Sequence, residues 1–216
     1  ILMQQPGNTT LAAELADEFA DYFQIEHQTT VNLVPFSGPL PDQDGFLRLI
    51  PDAFKMTSEL SQLNNSSIRT LNAIKDLSSD LALYLQQQAR KLDALTHYVL
   101  RSQDDPKQRF HTFSYGGSGV QVWTNEVIKQ GQIYEVKLFL DNNDGALYCL
   151  GQVIQVTEQQ EAEPGQPPQY LVKILFRRIR DEDRDMVVRA SLHEQSRQLK
   201  RKAELRQQQA QQTQQQ

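Results

Sequence analysis

Between residues 51 and 105, apolar residues return at alternating steps of four and three, and no proline or glycine interrupts the chain from Ala53 to Asp105. The alternation runs through Leu60, Asn64, Ser67, Leu71, Ile74, Ser78, Leu81, Leu85, Gln88, Leu92, Leu95 and Val99, eight of which are apolar. A 3.5-residue repeat keeps one seam turned toward a partner helix and favours a left-handed coiled coil. The pattern therefore predicts one long heptad helix over 51–105, of which the oligomerising stretch 52–100 is about 70 Å long at 1.5 Å per residue. A small domain cannot cover that length, so the seam predicts self-association through Leu60, Asn64, Leu71, Ile74, Leu81, Leu85, Leu92, Leu95 and Val99. Asn64 is a polar layer of the kind that fixes register and strand number. Leu63, Leu77, Tyr84 and Tyr98 flank the seam and widen the apolar stripe. Either a bundle of more than two chains fills that width, or the N-terminal helix of the same chain does. The competing reading packs the helix on the chain's own β module.

Upstream, Leu11, Leu15, Phe19, Tyr22 and Phe23 recur at threes and fours, with Glu14, Asp17, Glu18 and Asp21 opposite. This is a short amphipathic helix with acid early in it, where the helix dipole favours negative charge, and with Thr9 and Thr10 as candidate N-caps. So short a helix needs a hydrophobic partner. Residues 30–36 read as a short strand, and 35–41 as a loop set by proline and glycine.

After Pro106 the period falls to two. Strands are predicted at 120–123, 132–140, 146–157 and 170–179, with a hairpin turn at Asn142, Asn143, Asp144 and Gly145 and a bulge or corner at Gly151. Residues 158–169 are polar and proline-rich and read as a loop. Antiparallel strands joined by turns, with no helices between them, point to a barrel or sandwich. From Asp181 a terminal helix starts amphipathic and becomes basic through Arg197, Lys200, Arg201, Lys202 and Arg206. Residues 207–216 are nearly all glutamine, the composition of a frayed or disordered tail.

Residues 112–122 read Thr-Phe-Ser-Tyr-Gly-Gly-Ser-Gly-Val-Gln-Val. Glycine in such a turn lets the backbone take positive φ and lets another group come close. The Ser114 hydroxyl is placed to bond the turn's own amides or an anionic ligand. This run resembles the Asp/Asn-x-Ser-x-x-Gly signature of PilZ domains. Ser114 and Gly117 match it, Gly116 and Gly119 fit its Ser-x-Gly-Gly-x-Gly form, and Thr112 stands where the acidic or amide residue belongs. The resemblance implies a six-stranded antiparallel barrel and a binding site for cyclic di-GMP, with Thr112, Ser114, Gly116 and Gly117 as the ligand-facing residues. The family also uses an Arg-x-x-x-Arg pair upstream of the signature. Here the upstream arginines are Arg48, Arg69, Arg90, Arg101 and Arg109, and no two are four apart. Arg180 and Arg184 have the spacing. They are either a relocated phosphate clamp or part of a solvated strand end neutralised by Asp181, Glu182, Asp183 and Asp185. A PilZ-like barrel joined to a heptad helix, with the arginine pair absent, resembles the atypical, tetramer-forming branch of the family. That resemblance implies a homotetramer in cyclic di-GMP signalling with a degenerate nucleotide site.

Composition narrows the choice. An apolar fraction of 38% and a mean hydropathy of −0.59 argue against one large core in 216 residues. Net charge −5, and a basic tail without interleaved aromatics, argue against a nucleic-acid partner. Cys149 is the lone cysteine, so it forms no internal disulfide; its apolar setting makes it a small buried hydrophobe and fits a reducing cytoplasm. No stretch has the length of apolar residues needed to span a bilayer, and Ile1-Leu2-Met3 is too short for a signal core, so a soluble, cytoplasmic protein is expected. His27, His97, His111 and His193 are scattered without metal-ligand spacing. His111 precedes Ser114 by three residues, about 10 Å along a strand and on the opposite face, which speaks against a nucleophile and base.

The expected architecture is α+β: a PilZ-like antiparallel β-barrel, a long heptad (coiled-coil) helix, a short N-terminal amphipathic helix and a C-terminal helix. The expected divisions are 1–50 (helix, short strand and loop), 51–105 (oligomerisation helix), 106–190 (barrel) and 191–216 (basic, then Gln-rich tail). The expected function is that of a non-enzymatic effector or adaptor without cofactor or metal, with cyclic di-GMP as possible ligand and a protein partner still to be identified. The alternative is an oligomeric scaffold that binds no nucleotide.

Overall fold

The period-2 segments form strands that close on one another. In the computed structural model, which describes residues 6–57, 59, 78–141, 144–158 and 168–213 and the side chains of these other than 6–12 and 210–213, the order is α1 (Pro6–Ala20), β1 (Gln24–Glu26), β2 (Thr30–Pro35), α2 (Gln43–Leu49), α3 (Ser79–Arg101), β3 (Arg109–Gly116), β4 (Gly119–Thr124), β5 (Ile133–Phe139), β6 (Ala146–Glu158), β7 (Tyr170–Arg178) and α4 (Asp181–Thr213). Antiparallel pairing runs β3-β2-β5-β6-β7-β4 and returns to β3, a closed six-stranded barrel, with β1 added alongside β3. Closure leaves the ring without an unpaired edge. Although β2 comes from the N-terminal segment, it pairs with β5 over six residues, so the barrel reaches back beyond residue 106.

Alternate side chains from the ring fill the interior: Val31, Leu33, Val120, Val122, Val136, Leu138, Leu147, Cys149, Val172 and Ile174, with Val187 and Ala190 of α4 joining them. Residues 146–150, in contrast, show no alternation. The reason is that β6 is buried on both faces, and such a strand reads as a continuous apolar run. Leu147 and Cys149 point into the barrel, while Ala146, Tyr148 and Leu150 meet Phe46, Ile50, Phe54 and Leu100 on the outside. Phe46 stacks on Tyr148 at 6.2 Å, and Phe54 tilts against it at 6.3 Å. The register shift at Leu150/Gly151 places a bulge where glycine is expected to bend the strand.

Helix α2 lies in a stretch with no helical expectation. Asp42 caps it, its carboxylate accepting from the Gly45 amide at 2.8 Å, and Phe46 anchors it. Helix α1 begins at Pro6 rather than after Thr9 or Thr10, because proline at a first helical position forfeits no hydrogen bond. Its Leu15 and Phe19 pack on Ile154 and Leu175 of the barrel wall. Burying a phenylalanine this way contributes about 2 kcal/mol. Among the described residues α1 therefore spends its apolar face on β6 and β7, not on the wide stripe of the heptad helix.

The expectation of one unbroken helix over 51–105 is corrected in part. Residues 52–57 are helical, but Ser78 is extended (φ −157°, ψ 106°) and caps a new helix, its hydroxyl accepting from the Leu81 amide, with Asp80 in the first turn. Helix α3 has 23 residues, about 35 Å. Leu60, Asn64, Leu71 and Ile74 lie outside the described residues. Of the rest of the seam, Leu81, Leu92, Leu95 and Val99 are 43–62% exposed and Leu85 is half-buried, while Leu100 is the one buried side chain of α3. At the other end of the chain, the Gln-rich tail is helical through Thr213, as glutamine's good helix propensity allows.

Arg180 ties the start of α4 to this assembly. It holds Asp183 through two hydrogen bonds, at 2.7 and 2.9 Å, and donates to the Phe54 carbonyl at 3.2 Å. Burial pushes the Asp183 carboxyl up to about 6, and Arg180 works against that rise. Removing one partner of a buried pair strands the other charge. Asp183→Ala should therefore cost about 3–5 kcal/mol of stability, measured by denaturant unfolding.

Candidate functional site

Strand β3 carries the signature into the turn. Gly116 pairs with Gly119, so Gly117 and Ser118 form a two-residue hairpin loop to β4. Among the described glycines, positive φ occurs at Gly38, Gly131 and Gly145, not in this loop, which corrects the expectation of a left-handed backbone. The close approach is present. A Cβ on Gly116 would overlap the Phe23 carbonyl oxygen, one on Gly117 the Tyr22 ring and Val188, and one on Gly119 the Ile174 carbonyl oxygen and the Phe19 ring. All of these groups belong to the chain itself, from α1, the corner leading to β1, β7 and α4.

The polar atoms of the turn are taken up in the same way. Ser118 Oγ donates to the Phe19 carbonyl at 2.6 Å and accepts from Gln24 Nε2 at 3.0 Å. Arg184 donates to the Gly117 carbonyl at 2.6 Å, with its guanidinium 5.3 Å above the Tyr22 ring. Thr112 Oγ1 donates to the His27 carbonyl at 2.8 Å and accepts from the Thr29 amide at 3.0 Å. Ser114 Oγ accepts from Gln121 at 2.8 Å. Thr112, Ser114, Gly116 and Gly117 are thus brought together, and all four are buried. Of the relocated arginine pair, Arg180 is closed on Asp183 and Arg184 supports the turn. Carboxylate competition accounts for the first, and the second is held by a carbonyl rather than by a phosphate.

A cluster with no signature in the sequence lies beside the turn. His27 Nε2 is 2.9 Å from Asp141 and its Nδ1 is 3.4 Å from Glu194. Glu194, 1% exposed, also holds Arg197 at 2.8 Å and Arg201 at 2.5 Å, while Asp144 faces His193 and Arg197. Two cations of the basic run are therefore committed to carboxylates of the same chain. Burial raises the Glu194 carboxyl, but the Arg197 hydrogen bond and the charges of His27, Arg197 and Arg201 outweigh it and hold the group below its usual range. The residues come from three separate stretches of chain, so spacing could not reveal them. Among the described residues, no His, Cys, Asp and Glu group could hold a metal ion, and no helix is long and apolar enough to cross a membrane.

The closed ring, the helix following β7 and the Ser-x-Gly-Gly turn define a PilZ-type fold. The chain is similar to a tetrameric PilZ domain from Xanthomonas campestris, described as a pathogenic protein self-assembled through an unusual helical bundle. That likeness has 18% identity and a TM-score of 0.51, over 88% of this chain and 98% of the other. Weaker likenesses are to the PilZ domain of YcgR from Escherichia coli with c-di-GMP (12% identity, TM-score 0.37, 47% and 83% of the two chains) and to MrkH of K. pneumonia in its apo state (15%, 0.37, 44% and 43%). No family model matches the sequence, and no curated protein does.

Two predictions arise here. Gly116→Ala forces the 22–24 segment off the turn; the expected loss is about 1–3 kcal/mol, as for other overpacked sites, and amide exchange in β1 should accelerate. For Glu194, the folded group titrates below its unfolded value near 4.5, so the stability it contributes is complete above that value and lost as pH falls through the lower folded one. Thermal unfolding of Glu194→Gln should therefore lose part of the acid-side slope seen in the parent chain.

Proposed function

We propose that this chain is a non-enzymatic PilZ-type adaptor of cyclic di-GMP signalling in the bacterial cytoplasm, assembled as a homotetramer through the heptad seam. The observation that carries the reading is the exposed apolar side of α3. Leu81, Leu92, Leu95 and Val99 repeat at heptad spacing, and Tyr84 and Tyr98 widen the stripe at 57% and 75% exposure. Aliphatic rows of this kind are stabilised by a matching row on a sister helix. The Xanthomonas campestris protein, similar over nearly its whole length, is described as a tetramer held by a helical bundle, which supports four as the number of copies.

The degenerate nucleotide site rests on different observations. Cyclic di-GMP carries two phosphates, and the guanidinium groups nearest the turn are engaged by Asp183 and by the Gly117 carbonyl. Thr112 and Ser114 have spent their hydroxyls inside the chain. The second reading, a scaffold that binds no nucleotide, draws on these same facts and differs only in its answer to a titration.

Light scattering on the purified chain should give a mass about four times 24.8 kDa. Leu92→Asp should reduce it at least to dimers, since a buried carboxylate opposes the seam. A parent chain that stays monomeric at high concentration defeats the assembly. Calorimetry with cyclic di-GMP then separates the two readings: heat at micromolar concentrations supports a ligand-binding adaptor, and none supports the scaffold.

A further inference from the structure

A bulge between the two signature hydroxyls turns a different side chain toward Trp123. Between Thr112 and Ser114 the β3–β4 register shifts by one residue, so Phe113 has no partner on β4. Bulges re-aim side chains in this manner. Phe113 is aimed at Trp123, with ring centroids 6.0 Å apart and planes at 74°, an edge-to-face pair. The pair lines a cleft of about 670 Å³ on the side of the barrel. This cleft holds neither Ser114 nor any glycine of the turn, and of the signature positions it shares only Thr112, whose hydroxyl is bonded to the His27 carbonyl and the Thr29 amide.

Its remaining lining decides which ligand fits. Gln28, Asn125 and Gln169 contribute three carboxamides, each both donor and acceptor, and all three are exposed. Glu126 adds an acceptor. The fixed cation of the cleft, Arg109, is closed on Asp104 at 2.8 and 3.2 Å, leaving little positive charge for a phosphate. The cleft therefore joins an aromatic corner to a rim of carboxamides that can both give and accept hydrogen bonds. A saturated ring with an apolar C–H face and hydroxyls around its edge matches that arrangement. A charged nucleotide matches it less well, because Arg109 is already closed on Asp104 and His111 is the one other basic side chain among the lining residues.

We propose that this cleft binds a neutral saccharide, one pyranose ring seated in the corner formed by Trp123 and Phe113 with its hydroxyls bonded to Gln28, Asn125 and Gln169. The volume accommodates a ligand of one or two rings, within the usual range of small-molecule sites. The proposal is independent of the seam and meets the nucleotide reading only at Thr112.

Trp123 is the only tryptophan in the chain, so its emission reports on the cleft directly. The full chain is titrated with methyl glucopyranoside, cellobiose, maltose and lactose, and separately with adenosine and cyclic di-GMP. A saturable change in Trp123 emission with at least one of these saccharides, and none with cyclic di-GMP, is expected. Calorimetry on Asn125→Ala and Gln169→Ala, both off the barrel core, should show binding weakened by about five-fold each, the loss of one hydrogen bond. Phe113→Ala should abolish it while the thermal unfolding of the two amide variants stays that of the parent. No response to any of the four saccharides overturns the proposal. So does a response confined to adenosine or cyclic di-GMP, or saccharide binding that survives all three substitutions.

Discussion

Burial of β6 on both faces is the constraint from which the arrangement of the helices follows. The inner row, Leu147 and Cys149, belongs to the barrel, and closure of the ring would bury it with or without helices. The outer row, Ala146, Tyr148 and Leu150, must find apolar cover of its own, and Phe46, Ile50, Phe54 and Leu100 supply it. That requirement brings α2, the helical turn at 52–57 and the end of α3 to the same wall. Further along β6, Ile154 receives Phe19 of α1. Arg180 then joins the Phe54 carbonyl to Asp183, so that α4 departs from a point already set by the outer cluster.

With its end committed to β6, α3 leaves its other apolar residues to be covered elsewhere. On the outer row of β6, where Leu100 sits, Phe46, Ile50 and Phe54 already cover the wall. An apolar stripe that outlasts the domain beside it is a reason for a chain to meet copies of itself, and this one is wider than a two-stranded seam needs. The assembly and the adaptor role proposed here both stem from that surplus.

The signature turn illustrates how a motif can retain its geometry while its atoms are put to another use. Gly116, Gly117 and Gly119 permit close approach in any PilZ-like hairpin. Here the visitors are Phe23, Tyr22 and Ile174 of the same chain, and Arg184 neutralises a carbonyl dipole. The adjacent bulge leaves Thr112 beside Val122 of the barrel interior and Ser114 beside Gln121 on the other face, both buried, with Phe113 between them half-buried against Trp123.

Local patterning determined a good deal. Five of the seven strands among the described residues, the bulge at Gly151, the burial of Cys149, the closed barrel and the apolar row at Leu81, Leu92, Leu95 and Val99 can be read from period-2 and heptad spacing, glycine placement and the resemblance carried by Ser114 and Gly117. Those features depend on neighbours in sequence or on a single face of one element. Strand β1, helix α2, the helix break at Ser78 and the Glu194 cluster could not be read, because each depends on a choice the chain makes only when distant parts meet. Three residues at Gln24–Glu26 become a strand because they continue, at Ser114–Gly116, the side of β3 that β2 pairs only at Arg109–His111, and Ser78 caps a helix although heptad spacing also suits it to a seam. What occupies the turn was likewise a tertiary decision: glycine spacing shows that something may come close, and only packing determines that it is Tyr22 and Phe23.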